Sequence, residues 1–197
     1  MRRSLPRITA VLAGLICAAM IFFPWDTFAR ATAARVTKAA ADNDIWLTTR
    51  GFEVNGAFTK NFVLRSVKAD LQLMRFGADE VTITQTLLSA LFPTDKKFHV
   101  QMGRGALIPV MQVPLEWDRG SADALITDDL LRIENISITG KISVMGTAEF
   151  SRTRSTLTRV KMLIRVPPEI ERTLDAAAKM RVMPLRKVKD GEWRLEI

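Results

Sequence analysis

Cysteine is almost missing from this chain of 197 residues: Cys17 is the only one. It lies inside an apolar run at residues 8–23, where it reads as a small filler. No disulfide can form beyond that run, so stability there must come from packing. Histidine is equally scarce, with His99 alone. A lone histidine with no later cysteine excludes the usual zinc ligand sets. No serine, cysteine or paired carboxylate lies near it in sequence, so a general base has no local partner. His99 alternates with Phe98 and Val100 and is expected to face solvent. Aromatic residues make up 7% of the chain, and no recognition helix or RNA-binding motif occurs, which argues against nucleic acid. The acidic clusters Asp42-Asn43-Asp44 and Asp128-Asp129 lack calcium-loop spacing. Gly103-Arg104-Gly105 lacks the trailing Lys-Ser or Lys-Thr of a phosphate loop and is expected to be a bulge or bend between strands. The chain is therefore read as non-enzymatic, with no cofactor and no metal site.

What is present starts with that apolar run. It holds no charge, Arg2, Arg3 and Arg7 precede it, and Pro24, Trp25 and Asp26 follow. Extended to Trp25 it makes a helix of roughly 27 Å at about 1.5 Å per residue, close to a hydrocarbon core of about 30 Å. Ile8, Val11, Leu12, Leu15, Ile16, Ile21, Phe22, Phe23 and Trp25 are its expected anchoring residues, with Trp25 at headgroup level. A cleavable signal would exit at Thr27-Phe28-Ala29 or Ala31-Thr32-Ala33, but bulky residues close the run and favour an uncleaved anchor. The basic start stays in the cytoplasm and the remainder is exported. The net charge is +8, of which +5 lies beyond residue 25, an excess that suits anionic headgroups or an ordinary soluble surface.

Residues 26–41 are rich in alanine, the best helix former, and predict an amphipathic membrane-proximal helix within a segment ending at 44. From Ile45 the apolar period shortens to two. Residues 45–197 are expected to form one β-rich domain. Strands are predicted at 45–49, across 63–73, near 98–108, along 136–150 with a bulge at Glu134-Asn135, and at 160–166, the last two as one long antiparallel hairpin. Short helices are predicted at 84–92 and 168–181, and Asp190-Gly191 is a hairpin turn. The fold class is thus mostly β: a membrane helix, then a curved, largely antiparallel sheet covered by those two helices. Val63, Val67, Ile138, Val144, Val160 and Ile164 either pack under the helices or line an open apolar groove. Arg152, Arg154, Arg159, Lys161 and Arg165 form a basic loop and strand face, suited to anionic lipid or a partner, or merely to a solvated sheet edge.

The order of these segments resembles a known family. A membrane run ends in FFPWD, followed by "TITQTLLSALF", "FHVQMGRGAL", "LLRIENISITGKISVMGTAEF", "STLTRVKMLIRVPPEIERTLDAA" and a closing "KDGEWRLEI". The chain resembles the type II secretion system protein N family in compact form and, more loosely, AsmA-like proteins. The first resemblance implies a single-pass protein of the bacterial inner membrane with its domain in the periplasm. It would be a non-catalytic accessory docking to other secretion-system or envelope proteins. The second implies a trough whose apolar face binds or transfers phospholipid.

Overall fold

The structure, a computed structural model, describes residues 24–42, 44–56, 59–71, 74–86, 96–109, 113–154, 156–179 and 184–197. Of the expected anchor residues only Trp25 falls among them. Among the described residues no helix is long and apolar enough to cross a membrane.

Helix α1 (Trp25–Ala41) begins after Pro24 and carries Asp26 in its first turn and Lys38 in its last, each opposing the charge of its end of the helix dipole. It packs on β1 (Trp46–Thr48) and β2 (Gly51–Asn55), and Ala29 is buried. Lys60 Nζ sits 5.1 Å from the centre of the Trp25 ring and donates to the Gly56 carbonyl at 2.6 Å.

Two long strands follow, β3 (Thr59–Leu71) and β4 (Met74–Thr86), then β5 (Lys96–Met102), β6 (Gly105–Pro109), β7 (Leu115–Trp117) and β8 (Arg119–Ile126). After them come β9 (Leu130–Thr139), β10 (Ser143–Ser151), β11 (Thr156–Arg165), helix α2 (Pro168–Lys179), β12 (Leu185–Lys189) and β13 (Glu192–Glu196). Among the described residues 13 strands form one sheet, in the order β1-β3-β4-β5-β8-β9-β10-β11-β13-β12, with β2 on β3 and with β6 and β7 continuing from β4. All strand pairs are antiparallel.

Residues directly opposite in an antiparallel pair point to the same side, so the register traces each face. One row runs Phe52–Leu64–Val81–Met102–Gly120–Ile138–Val144–Ile164–Trp193. It crosses nine strands without a charged residue. At about 4.8 Å per strand the row is roughly 40 Å long. Gly120 and Trp193 are buried and the other seven are half-buried.

The apolar side changes at the far end of the long strands. Val67 opposes Ala78 and Ala69 opposes Phe76, on the side of β4 opposite to Val81 and Ile83. Val67, Ala69, Ala78 and Trp117 are all buried there. The change coincides with Ser66, a non-glycine residue at φ 49°, and with Gly103-Arg104, which interrupts the strand facing β4. Gly105 allows the close packing beyond the break: a Cβ there would lie 2.5 Å from the Trp117 ring, which stacks on Phe76 at 5.5 Å between centres.

Several expectations change. Residues 84–86 belong to β4 rather than to a helix, because they complete its ladder with β3 and β5; the rest of the helix predicted at 84–92 lies outside the described residues. Helix α2 exists at nearly the predicted bounds, but it packs against β12 rather than over the centre of the sheet. The strand expected along 136–150 is two strands, β9 and β10, turning at Gly140 (φ 148°). Ile142, inside that expected strand, is instead a buried turn residue whose N–H donates to the Glu116 carbonyl at 3.2 Å. The bulge at Glu134-Asn135 is present, with Asn135 at φ 52° and a register shift against both β8 and β10.

Candidate functional site

The six residues expected to share a groove divide. Ile138, Val144 and Ile164 stand side by side in the apolar row. Val160 lies on the same face, opposite Ala148. Val63 and Val67 do not join them: Val63 opposes Thr82 and Glu53, and Val67 opposes Ala78, on the other side of the sheet. Val63 and Val67 share the odd-numbered side of β3, whereas Phe62 and Leu64 on its even-numbered side are continuous with the main apolar face.

Helices close the row at its two ends. Trp193 is 1% exposed, and Ile170 of α2 and Leu185 of β12 are buried too. Glu171 fixes α2 on this face. Its Oε1 accepts from the Gly191 N–H at 3.1 Å and from Lys187 Nζ at 2.7 Å, and Lys187 pairs with Trp193. The Lys187 ammonium and the Gly191 amide hold the Glu171 carboxyl below its ordinary range, and the Lys187 pKa is raised by Glu171 and Asp190. Between the helix-capped ends the face presents half-buried aliphatic side chains.

The opposite face is charged along β11, β13 and β12, and the basic set read from the sequence is resolved there. Lys161 meets Glu196 at 3.3 Å, and Arg165 Nε meets Glu192 at 2.9 Å. Arg165 is the main cause of the depressed Glu192 pKa. Arg152 donates to the Thr127 carbonyl. Arg154 is exposed in the turn before β11. Arg159 faces Glu149, but that carboxylate is held by Arg132 Nε at 2.9 Å. Two cations that sequence reasoning missed complete the surface. Arg194 stands directly opposite Arg186, in the row Met145–Leu163–Arg194–Arg186.

His99 has a partner that local sequence hides. Its Nδ1 lies 2.6 Å from Asp123 Oδ1 across the β5–β8 pair, while Asn135 Nδ2 donates to Asp123 Oδ2 at 2.7 Å. Asn135 and then His99 lower the Asp123 pKa. The far ring nitrogen of His99 faces Gln101 at 3.2 Å, and no hydroxyl or thiol among the described residues is bonded to it. The cluster binds three strands together across the Asn135 bulge. A separate cleft of about 850 Å³ lies beside the Gly103-Arg104 break, with Lys68, Asp70, Arg75, Glu116 and Lys141 in its wall. Arg75 pairs there with Asp70 and Lys141 with Glu116. Among the described residues no cluster of histidine, cysteine or carboxylate side chains is suited to hold a metal ion.

No curated protein and no solved structure gives a match to this chain. A family assignment does come from comparison at the level of whole families, and it agrees with the segment order read above. Over residues 2–197 the chain matches, and belongs to, the family described as type II secretion system protein GspN-like, Synergistales.

Proposed function

We propose that this protein is a non-catalytic accessory of the type II secretion apparatus, anchored in the inner membrane by residues 8–25. Its β-sheet domain stands in the periplasm and docks to other envelope components. The family match across residues 2–197 carries this reading. The basic start and the uncharged run at residues 8–23 support the anchor and its orientation. A broad sheet with one apolar and one charged face supports docking, since both are surfaces for contact rather than enclosed sites. The test is deletion of the gene in its host. The expected result is that exported proteins of the pathway accumulate in the periplasm and that the full-length chain fractionates with inner membranes. Normal secretion, or a chain recovered intact in the soluble fraction, would overturn the proposal.

The apolar row favours a second reading, an AsmA-like module that binds or transfers phospholipid. Nine neighbouring strands contribute to it, and seven of its nine members are half-buried. A continuous half-buried apolar track offers a surface for an extended apolar ligand such as an acyl chain, whereas a compact core would bury these side chains. Native mass spectrometry of the full chain after extraction in a mild detergent separates the two. Phospholipid retained at a stoichiometric level supports the track as a lipid site; none retained leaves the docking role alone.

A further inference from the structure

The charged face carries one arrangement that the fold itself does not explain. Arg194 of β13 and Arg186 of β12 are directly opposite neighbours on the same side of the sheet, and like charges in that position repel. Nearby cations are neutralised: Lys161 by Glu196, Arg165 and Lys189 by Glu192, and Lys187 by Glu171 and Asp190. Arg186 and Arg194 form no ion pair or side-chain hydrogen bond with any described residue, and both are exposed. Protection of a sheet edge by charge accounts for Arg186, because β12 ends the strand order. It does not account for Arg194, because β13 is paired on both sides, with β11 and with β12.

The pairing is also built in by an irregularity. The Asp190-Gly191 turn sets Lys189 opposite Glu192, and regular continuation would bring Lys187 opposite Arg194. A register shift between Lys187 and Lys189 moves Arg186 there instead. Arg186 and Arg194 both line a cleft of about 780 Å³ that wraps the β12 edge of the sheet, where Ala178, Pro184, Leu185, Lys187, Val188 and Glu196 form the other walls. On the other side of Arg194 the row continues into Leu163 and the exposed Met145. Paired planar forks suit two oxygens of one phosphate. Apolar side chains on both flanks suit the glycerol and first methylenes of a lipid better than a hydrated inorganic ion.

We propose that Arg186 and Arg194 form a binding site for the phosphate of an anionic phospholipid headgroup. The site lies at the β12 edge, with both arginines rooted on the side opposite the apolar row, and does not depend on the lipid-transfer reading or on docking. An acidic polypeptide is the alternative occupant, disfavoured because the neighbouring cations already have carboxylates of this chain.

The test uses the full chain with methyl-labelled methionine in neutral maltoside micelles, titrated with dihexanoyl phosphatidylglycerol. The expected result is a saturable shift of the Met145 methyl signal and little shift with dihexanoyl phosphatidylcholine. Replacing both arginines (R186Q with R194Q) weakens binding by about tenfold or more, as expected for lost charge-assisted hydrogen bonds. The same change leaves thermal stability unchanged or raises it, because the repulsion is removed; a purely structural arginine pair would move stability the other way. Three outcomes overturn the proposal: no saturable shift, inorganic phosphate acting as strongly as the lipid at equal concentration, or an oligoglutamate peptide binding more tightly than the lipid.

Discussion

Trp193 gives the sharpest quantitative test of how the capped end of the apolar row is held. Among the described residues it is the largest fully buried side chain, at 1% exposure, and its Nε1 has no hydrogen-bond partner there. Replacing it with alanine removes an indole between Ile164 and Lys187 in the sheet. Losses of this kind cost about 3–5 kcal/mol, the transfer term plus the cavity left behind. Trp193→Phe is a different perturbation. It removes part of the ring, at a cost of about 1 kcal/mol, and it also removes a buried donor that carries a desolvation penalty of about 1–3 kcal/mol. The two terms oppose each other, so the net change should lie between about zero and 2 kcal/mol of stabilisation. Urea unfolding of the full chain in neutral detergent, followed by the strand signal in circular dichroism, measures both variants against the parent. The expected pattern is a large loss for alanine and none for phenylalanine. If phenylalanine costs more than about 2 kcal/mol, the indole N–H is satisfied in solution and the description of this end of the sheet is wrong.

Other perturbations separate the remaining elements. Gly105→Ala places a Cβ 2.5 Å from the Trp117 ring and 2.4 Å from the Gly77 carbonyl, and should cost about 1–3 kcal/mol, read as a lower thermal midpoint. Asn135→Gly relieves the strain of φ 52° but loses the bond to Asp123, so it should be milder than Asn135→Ala in a thermal melt, because alanine keeps the strain and loses the bond as well. The carboxyls of Asp123, Glu171 and Glu192 all have folded pKa values below their ordinary ones. Such groups stabilise the fold above the unfolded pKa, and that contribution is lost as pH falls through the folded value. Stability should therefore drop below about pH 4.5, the ordinary glutamate value. Glu171→Gln should flatten that acid limb in a pH series of melts; an unchanged limb would show that the Lys187 and Gly191 contacts do not form in solution.

How far the sequence reveals this fold depends on the range of each interaction. Alternation alone finds β11 and the β12–β13 hairpin, because a half-buried strand repeats every two residues and Asp-Gly favours the turn between its strands. It also finds the bulge at Glu134-Asn135, where the apolar phase reverses between Ile133 and Ile136. It cannot find the turn at Gly140. The three residues between β9 and β10 preserve parity, so Ile138 and Val144 fall on one face whether the chain runs straight or folds back. The residues after Ile83 carry helix-like apolar spacing, but Thr84 pairs with His99, and Gln85 and Thr86 pair with Lys60 and Thr59. Those partners lie far away in sequence and outweigh local propensity. The same limit hides the sites. Asp123 reaches His99 across 24 positions, and Arg186 meets Arg194 only because the hairpin slips by one residue.

The change of apolar side at Ser66 bears on what the sheet can do. Had Val63 and Val67 continued the main face, the aliphatic surface would have run to the ends of β3 and β4 as one oily plane. Instead Lys68, Asp70, Arg75 and Glu116 take over that side beyond the break and wall the charged cleft, while Val67 and Ala78 are buried on the reverse side. The exposed apolar track is thereby bounded along its length as well as capped by helices at its ends. A bounded strip can accept a chain-like ligand or a partner's edge without presenting a contiguous patch large enough to drive aggregation. Shifting that boundary should matter more than deepening the strip. A charged residue at Val81, inside the row, should abolish occupancy of the track, whereas the same charge at Val63, on the reverse side, should leave it intact. Native mass spectrometry of V81E beside V63E would decide the point, and equal loss in both would mean that the two faces are not separated as the strand register requires.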